Sequence, residues 1–332
     1  MLTGTWRRAR AFFARLFGRA PPAPGYFESG RKFALHGRLA AAPWIWPSRD
    51  YLVYIPRGHG GWRRRALVVM IHGCKQTPEE FAAATRIAAL ADEHGWLLLL
   101  PRQQAKANPW SCWNWFDVAT GEGRGEAAIV AAQVRAVRRR YRIHPRRVFL
   151  AGFSSGGGLA AAVGVRHPAL FSGVFIHSGL PCAAAPGPSA ATKVMSQGAK
   201  SDPALIGSAA RSVAGSGVAL PLLALHGERD TVVAPVNAAQ LVRQFIALNG
   251  RPPTGAPDEL PPADATSSTV TPAGRHVATS DYRHGGRLIA RLVSVRELGH
   301  AWSGGDDALP YNDAEGPDAA RMLAEFVEGR AR

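Results

Sequence analysis

Apolar runs of strand length recur along the chain, each followed by a stretch that can form a helix. Ala66-Leu67-Val68-Val69-Met70-Ile71, Trp96-Leu97-Leu98-Leu99-Leu100, Val148-Phe149-Leu150-Ala151, Gly173-Val174-Phe175-Ile176-His177 and Leu222-Leu223-Ala224-Leu225 are such runs. A strand covered on both faces reads this way, because neither face needs polar residues. Tyr51-Leu52-Val53-Tyr54-Ile55-Pro56 and Leu292-Val293-Ser294-Val295 predict further strands. Between them, Thr77-Pro78-Glu79-Glu80 carries a helix-start signal: a capping threonine, proline at the first helical position and acids in the first turn. Residues from Glu126 to Arg140, from about Val236 to Leu248 and from Asp318 to Val327 predict later helices. Strand and helix in alternation imply an α/β fold, with a mostly parallel central sheet flanked by helices in three layers.

Two segments break this rhythm. Cys182 to Ala219 is rich in Ala, Ser, Gly and Pro, and Gly250 to Thr271 is rich in Pro and Thr. Both are expected as insertions near the C-terminal ends of strands, where the rims of functional sites are built. At the other end, Ala20-Pro21-Pro22-Ala23-Pro24-Gly25 reads as a stiff linker. The expected organisation is therefore a basic N-terminal segment and linker over residues 1–30, then one domain over 31–332, with insertions near 182–219 and 250–271.

Charge changes this picture little. The net charge is +16, and among the 40 basic residues only Lys32, Lys75, Lys106, Lys193 and Lys200 are lysines. An arginine skew of that kind reads as composition and a solvated basic surface, with an anionic or polymer surface as the competing reading. No nucleic-acid recognition module is present, so nucleic acid is not an expected partner. In residues 5–17, Trp6, Phe13, Leu16 and Phe17 can share a helical face with arginines displayed elsewhere. That makes the segment a candidate for lying on a membrane or hydrophobic granule, against packing on its own domain or disorder. It lacks the apolar core of about 7–15 residues that a signal peptide carries, and nowhere do about 18 apolar residues run together. A cytoplasmic or granule-associated protein is expected, with secretion disfavoured.

The candidate chemistry starts at Gly152-Phe153-Ser154-Ser155-Gly156, which follows the run Val148–Ala151 and opens into the small residues Gly157 to Ala162. With 36 glycines in the chain the string alone is weak, and its strand-turn-helix setting carries the weight. A serine on that turn is exposed to a base and a substrate, with small residues at −2 and +2 relieving the crowding. In an α/β-hydrolase fold an acid and then a histidine must follow. Asp230 lies just past Leu222–Leu225, and His300, in Leu298-Gly299-His300-Ala301-Trp302, follows Leu292–Val295. Ser154, Asp230 and His300 are thus the candidate catalytic residues; His177 and His226, also at strand ends, are the alternative bases. For the oxyanion hole the candidates are the backbone amides of Ser155 and of Cys74, in the loop His72-Gly73-Cys74-Lys75-Gln76. The residues leave open whether Cys74 pairs with Cys112. Three cysteines without CxxC spacing indicate no zinc site, and the scheme calls for no metal or organic cofactor. Trp113 and Trp115, with Trp302, are candidate substrate contacts, the competing reading being aromatic anchors of the loops.

Taken together, His72–Gln76, Cys112-Trp113-Asn114-Trp115-Phe116-Asp117, Gly123 to Ala127, Ala151 to Gly158, Ser178-Gly179-Leu180-Pro181, Gly299 to Gly305 and Gly316-Pro317-Asp318-Ala319 occur in one order. In that order the chain resembles the catalytic domain of the poly(3-hydroxybutyrate) depolymerase family of serine esterases, from about Arg31 to Arg330. The resemblance implies an α/β-hydrolase that cleaves esters of 3-hydroxyalkanoates, polymer or oligomer, with Ser154, Asp230 and His300 as triad and the Cys74 amide in the hole. The same broad family is similar to feruloyl and acetylxylan esterases, so a carbohydrate ester is the alternative substrate. Secreted members of the family carry a leader, and often a separate polymer-binding domain. This chain is expected to have neither and to act on soluble oligomers or native granules. A non-catalytic granule-surface protein is the rival from outside enzymology.

Overall fold

The computed structural model describes residues 25–33, 48–60, 63–215 and 217–329. The candidate surface-binding segment 5–17 lies outside them. The strands of the main sheet are β1 (Tyr26–Phe33), β2 (Ser48–Ile55), β3 (Arg65–Ile71), β4 (Leu97–Pro101), β5 (Ile143–Phe153), β6 (Gly173–His177), β7 (Leu222–Gly227), β8 (Ala265–Val270), β9 (His276–His284) and β10 (Arg287–Val295). They pair in one sheet in the order β1-β2-β4-β3-β5-β6-β7-β10-β9-β8. From β4 to β10 neighbours run parallel, while β1, β2, β8 and β9 pair antiparallel at the two margins.

The continuous apolar runs lie at the centre of this sheet, where successive side chains face opposite layers. On β3, Leu67, Val69 and Ile71 point into one core and Ala66, Val68 and Met70 into the other. Helices α1 (Pro78–Ala84) and α2 (Ile87–His94) cover the second core. Thr77 starts α1 as expected: its hydroxyl accepts the Glu80 N–H at 3.2 Å and the Glu80 carboxylate accepts the Thr77 N–H at 2.8 Å. Helices α3 (Gly125–Arg140) and α4 (Ser155–Arg166) cover the first core through Val130, Val134, Leu159 and Val163.

The 182–219 segment forms two helices, α5 (Pro188–Gln197) and α6 (Ala204–Ala214). Both sit beside α7 (Val236–Leu248), whose buried amide side chains grip the segment's backbone. Gln240 accepts the Ala199 N–H at 2.7 Å and donates to the Ala199 carbonyl at 2.9 Å. Gln244 does the same for Cys182, at 2.8 and 3.1 Å. Reciprocal bonds of this kind satisfy backbone groups that a buried loop would otherwise leave unpaired. Arg243, 2% exposed, reaches Asp202 from the same helix at 2.7 Å. The last helix, α8 (Ala319–Gly329), returns Ala320, Leu323 and Val327 to the second core.

Three expectations need correction. The domain boundary expected at residue 31 falls inside β1, because Tyr26 to Phe33 pair residue by residue with Ile55 to Ser48. The expected insertion 250–271 is in part the edge strand β8, whose serines and threonines are all exposed and so carry no apolar signature. Trp113, Trp115 and Trp302, candidate substrate contacts with loop anchors as the competing reading, are buried at 0%, 4% and 1% exposure, which favours the anchors. Trp113 lies against His72, and Trp115 packs with Leu180, Val194 and Val233. Trp302 fills the second core, its ring 5.3 Å from Phe81, 5.8 Å from Phe175 and 5.2 Å from His177. These rings brace the loops from within.

Trp302→Ala is expected to lower unfolding free energy by about 3–5 kcal/mol in guanidinium titrations; a ring that served only as a surface contact would cost under about 1 kcal/mol. Burial alone would raise the Asp202 carboxyl, but the Arg243 guanidinium beside it outweighs this and holds it below its ordinary value. A depressed carboxyl contributes stability above its unfolded value, and that stability is lost as pH falls through the folded value. Arg243→Leu should therefore destabilise the protein more at neutral pH than in acid below that range, by pH-dependent denaturation.

Candidate active site

Ser154 stands where β5 turns directly into α4, with φ of 55° and ψ of −122°. A side-chain-bearing residue seldom adopts these angles, so the surroundings must hold it there. A Cβ on Gly152 would lie 2.2 Å from the Gly156 carbonyl oxygen, and one on Gly156 would lie 2.3 Å from that of Ile71. Only glycine lets β3, β5 and the start of α4 close up in this way. The Ser154 N–H donates to the His177 carbonyl at 3.0 Å, tying the turn to β6.

Loops after β7 and β10 bring Asp230 and His300 to the same sheet edge. His300 Nε2 lies 2.9 Å from Ser154 Oγ, and its Nδ1 lies 2.8 Å from Asp230 Oδ2. A carboxylate only accepts, so Nδ1 carries the proton and Nε2 offers its lone pair to the hydroxyl. The second Asp230 oxygen accepts the N–H groups of Val232 at 3.0 Å and Val233 at 2.8 Å. Burial by itself would push the Asp230 carboxyl up; the hydrogen bond and charge of His300 outweigh it and hold the carboxyl below its ordinary value. The His300 ring is stacked on Phe153 at 5.2 Å.

The two alternative bases are occupied elsewhere. His226 Nε2 donates to the Val233 carbonyl at 2.8 Å, beneath the Asp230 loop. His177 Nε2 accepts the Ser303 N–H at 3.0 Å, and its Nδ1 lies 3.1 Å from Ser178 Oγ. Burial pushes both imidazoles down in pKa, which keeps them neutral supports of the loops that carry Asp230 and His300.

Of the two hole candidates, Cys74 follows β3 and Ser155 opens α4, where the first N–H groups of a helix have no intrahelical acceptor. Neither amide has an acceptor among the described residues. Cys74 is disulfide-bonded to Cys112, which closes the question the residues left open. The Ser155 hydroxyl faces that bridge, 3.3 Å from Cys74 Sγ, and accepts the Trp113 N–H at 3.4 Å. Only the Ser155 amide remains for the site.

A buried polar network that sequence reasoning missed underlies this loop pair. Glu126 accepts from Arg49 at 2.7 Å, from the Gln103 side chain at 2.6 Å and from the Asn114 backbone at 2.8 Å. Gln103 also donates to the Cys112 carbonyl at 2.8 Å. Gly123 to Ala127, read only as a family-like string, held the signal: an acid in the first turn of a helix whose next residues are apolar on every side.

A cavity of about 240 Å³ adjoins the hole loop, lined by Lys75, Gln76, Glu80, Leu309, Pro310 and Tyr311. A larger one, about 520 Å³, is lined by Arg86, Val270, Pro272 and Glu315 among others and includes no triad residue. The Lys75 ammonium lies 5.0 Å from the ring of exposed Trp110, which leaves that ring on the rim where Trp113 and Trp115 are hidden.

Comparison with known proteins bears on the family and the fold. Residues 49–258 match the family described as esterase PHB depolymerase. The chain is 32% identical over 187 residues to poly(3-hydroxyalkanoate) depolymerase C of Paucimonas lemoignei, covering 55% of this chain and 45% of that one. It is 27% identical over 192 residues to feruloyl esterase B of Neurospora crassa, covering 56% and 65%. The chain thus spans less than half the length of the first of these relatives. In fold it resembles the acetyl xylan esterase from Aspergillus awamori, with a TM-score of 0.63 over 82% of this chain and 94% of that one, at 18% identity. The parallel centre, the helices on both faces and the serine at the end of β5 make this the α/β-hydrolase fold. Matched over residues 49–258, the chain belongs to the PHB depolymerase family of esterases.

Proposed function

We propose that the protein hydrolyses carboxylic esters through an acyl-serine intermediate, and that its substrates are short-chain 3-hydroxyalkanoate polyesters or their oligomers. The observation that carries the reaction is the unbroken chain from Asp230 through His300 to Ser154. In this scheme Ser154 Oγ attacks the ester carbonyl carbon and its proton passes to His300 Nε2. The carbonyl oxygen becomes an oxyanion held by the Cys74 and Ser155 amides. Collapse expels the alcohol, which takes the proton from His300 and leaves the acyl group on Ser154. Water then attacks the acyl carbon and gives a proton to His300. Collapse of the second oxyanion frees the acid, and Ser154 recovers its proton. Asp230 stays ionised throughout, holding the ring and balancing its transient charge.

The substrate class rests on family membership and on the 32% identity to a protein named a poly(3-hydroxyalkanoate) depolymerase. A second reading has equal footing in the relatives: a carbohydrate esterase removing feruloyl or acetyl groups. A complete triad argues against a purely binding role at a granule surface. Residues 5–17 keep their proposed part in surface attachment. For location, the sequence-based expectation is a cytoplasmic or granule-associated protein; the Cys74–Cys112 bond argues for an oxidising compartment instead, since cytoplasmic thiols are kept reduced.

Ser154→Ala should cut turnover of p-nitrophenyl butyrate by at least about a thousandfold, because a triad acts as a unit; full retained activity would sink the assignment. For the substrate, kcat/KM on a 3-hydroxybutyrate trimer should exceed that on methyl ferulate and on acetylated xylobiose. The reverse order would favour the carbohydrate reading.

A further inference from the structure

The loop His72-Gly73-Cys74-Lys75-Gln76 has both polar groups of its glycine held by side chains. Gln76 Oε1 accepts the Gly73 N–H at 2.9 Å. His72 Nδ1 lies 2.8 Å from the Gly73 carbonyl oxygen, and a carbonyl can only accept, so Nδ1 carries the proton. The other nitrogen, Nε2, accepts the Gln103 backbone N–H at 3.2 Å, which fixes the same tautomer from the opposite side. Both His72 and Gln76 are buried, at 1% and 7% exposure. Burial drives the His72 imidazole down to about 4, so it is neutral near pH 7. Gln103 is in turn held by Glu126, Arg49 and the Cys112 carbonyl.

These contacts set the direction of one peptide. The bond between Gly73 and Cys74 is trans, the cis bond among the described residues being Gly316-Pro317. In a trans peptide the carbonyl and the N–H point opposite ways. Holding the Gly73 oxygen against His72 therefore turns the Cys74 N–H away from it, toward the side with no protein acceptor. Glycine at 73 is the residue whose flanking peptides rotate most easily, so these two bonds add a restraint on the N–H direction to those that the Cys74–Cys112 bond and the Lys75 N–H to the Trp110 carbonyl, at 2.8 Å, place on the residues after it.

We propose that His72 is a positioning residue that locks the Gly73-Cys74 peptide with its N–H aimed at the substrate oxyanion, Gln76 locking the peptide before it. The inference rests on the reading of Cys74 as an oxyanion donor. It gives a second reason for the spacing of this loop: His72 and Gln76 bracket the glycine and restrain it from both ends.

An orientation that matters only when the oxyanion forms changes kcat and leaves ground-state binding alone. Asparagine at 72 carries an amide N–H as many bonds from Cα as Nδ1; glutamine puts its amide nearer the position of Nε2. With the full-length chain and p-nitrophenyl butyrate, His72→Gln should lose kcat by about 30- to 100-fold with KM within about twofold, a hole donor being worth about 10²–10³ in kcat. His72→Asn should stay within about fivefold of the parent. An aryl trifluoromethyl ketone adds Ser154 Oγ at its carbonyl carbon, the proton passing to His300, and so places an oxyanion in the hole. Its Ki should rise in His72→Gln by the same factor as kcat falls. Unchanged kcat in His72→Gln, equal losses in both variants, or a Ki that does not follow kcat would each overturn the proposal. If neither His72 variant folds, Gln76→Met decides: a loss of about tenfold in kcat at constant KM supports it, and unchanged kcat overturns it. A failure of the triad reading would be recognised separately, by activity surviving Ser154→Ala.

Discussion

The close packing of β3, β5 and the start of α4 is the constraint on which the site depends. Gly152 and Gly156 leave no room for a Cβ against the Gly156 and Ile71 carbonyls, and Ser154 is held at a φ of 55° between them. Such a conformation costs of order 1–3 kcal/mol and persists only where the surroundings over-determine it. Here those surroundings are the parallel centre of the sheet, closed on both faces by helices whose apolar residues are almost fully buried. The large core therefore has a specific consequence: it keeps one serine in an orientation that an isolated turn would abandon.

Around that serine the remaining groups are placed by loops, and each loop is tied down by buried polar bonds. Asp230 is capped by Val232 and Val233 and lies beside His226. The His300 loop is tied through Ser303 to His177, and the hole loop through His72 and Gln76. His72, His177 and His226 are all buried and all driven toward the neutral form. A neutral imidazole has one donor and one acceptor nitrogen, which suits it to link two backbone segments that close-packed apolar side chains would leave unconnected. Among the described residues, only His300 combines a carboxylate on one nitrogen with a hydroxyl on the other.

Much of this was legible in the residues. The central strands announce themselves because both faces are buried, and the order Ser154, Asp230, His300 follows from where chain order places strand ends in this fold. What stayed hidden has physical causes. The strand β8 is an exposed edge of serine and threonine, without an apolar face to detect. Aromatic content alone does not tell an inward ring from an outward one, so the residues leave Trp113, Trp115 and Trp302 between substrate contact and loop anchor, and burial decides for the anchor. Glu126 and Arg49 are 77 positions apart, and no local pattern joins them. The 38-residue separation of Cys74 and Cys112 likewise says nothing of their distance until β3 and the loop after β4 are folded.

The central claim is that Ser154 becomes acylated, and direct trapping tests it most simply. Rapid acid quench during turnover of p-nitrophenyl butyrate, followed by peptide mass mapping, is expected to find a butyryl adduct on the peptide that contains Ser154, with none in a Ser154→Ala protein. A butyryl adduct on another residue, or steady turnover with Ser154 never acylated, would contradict the account.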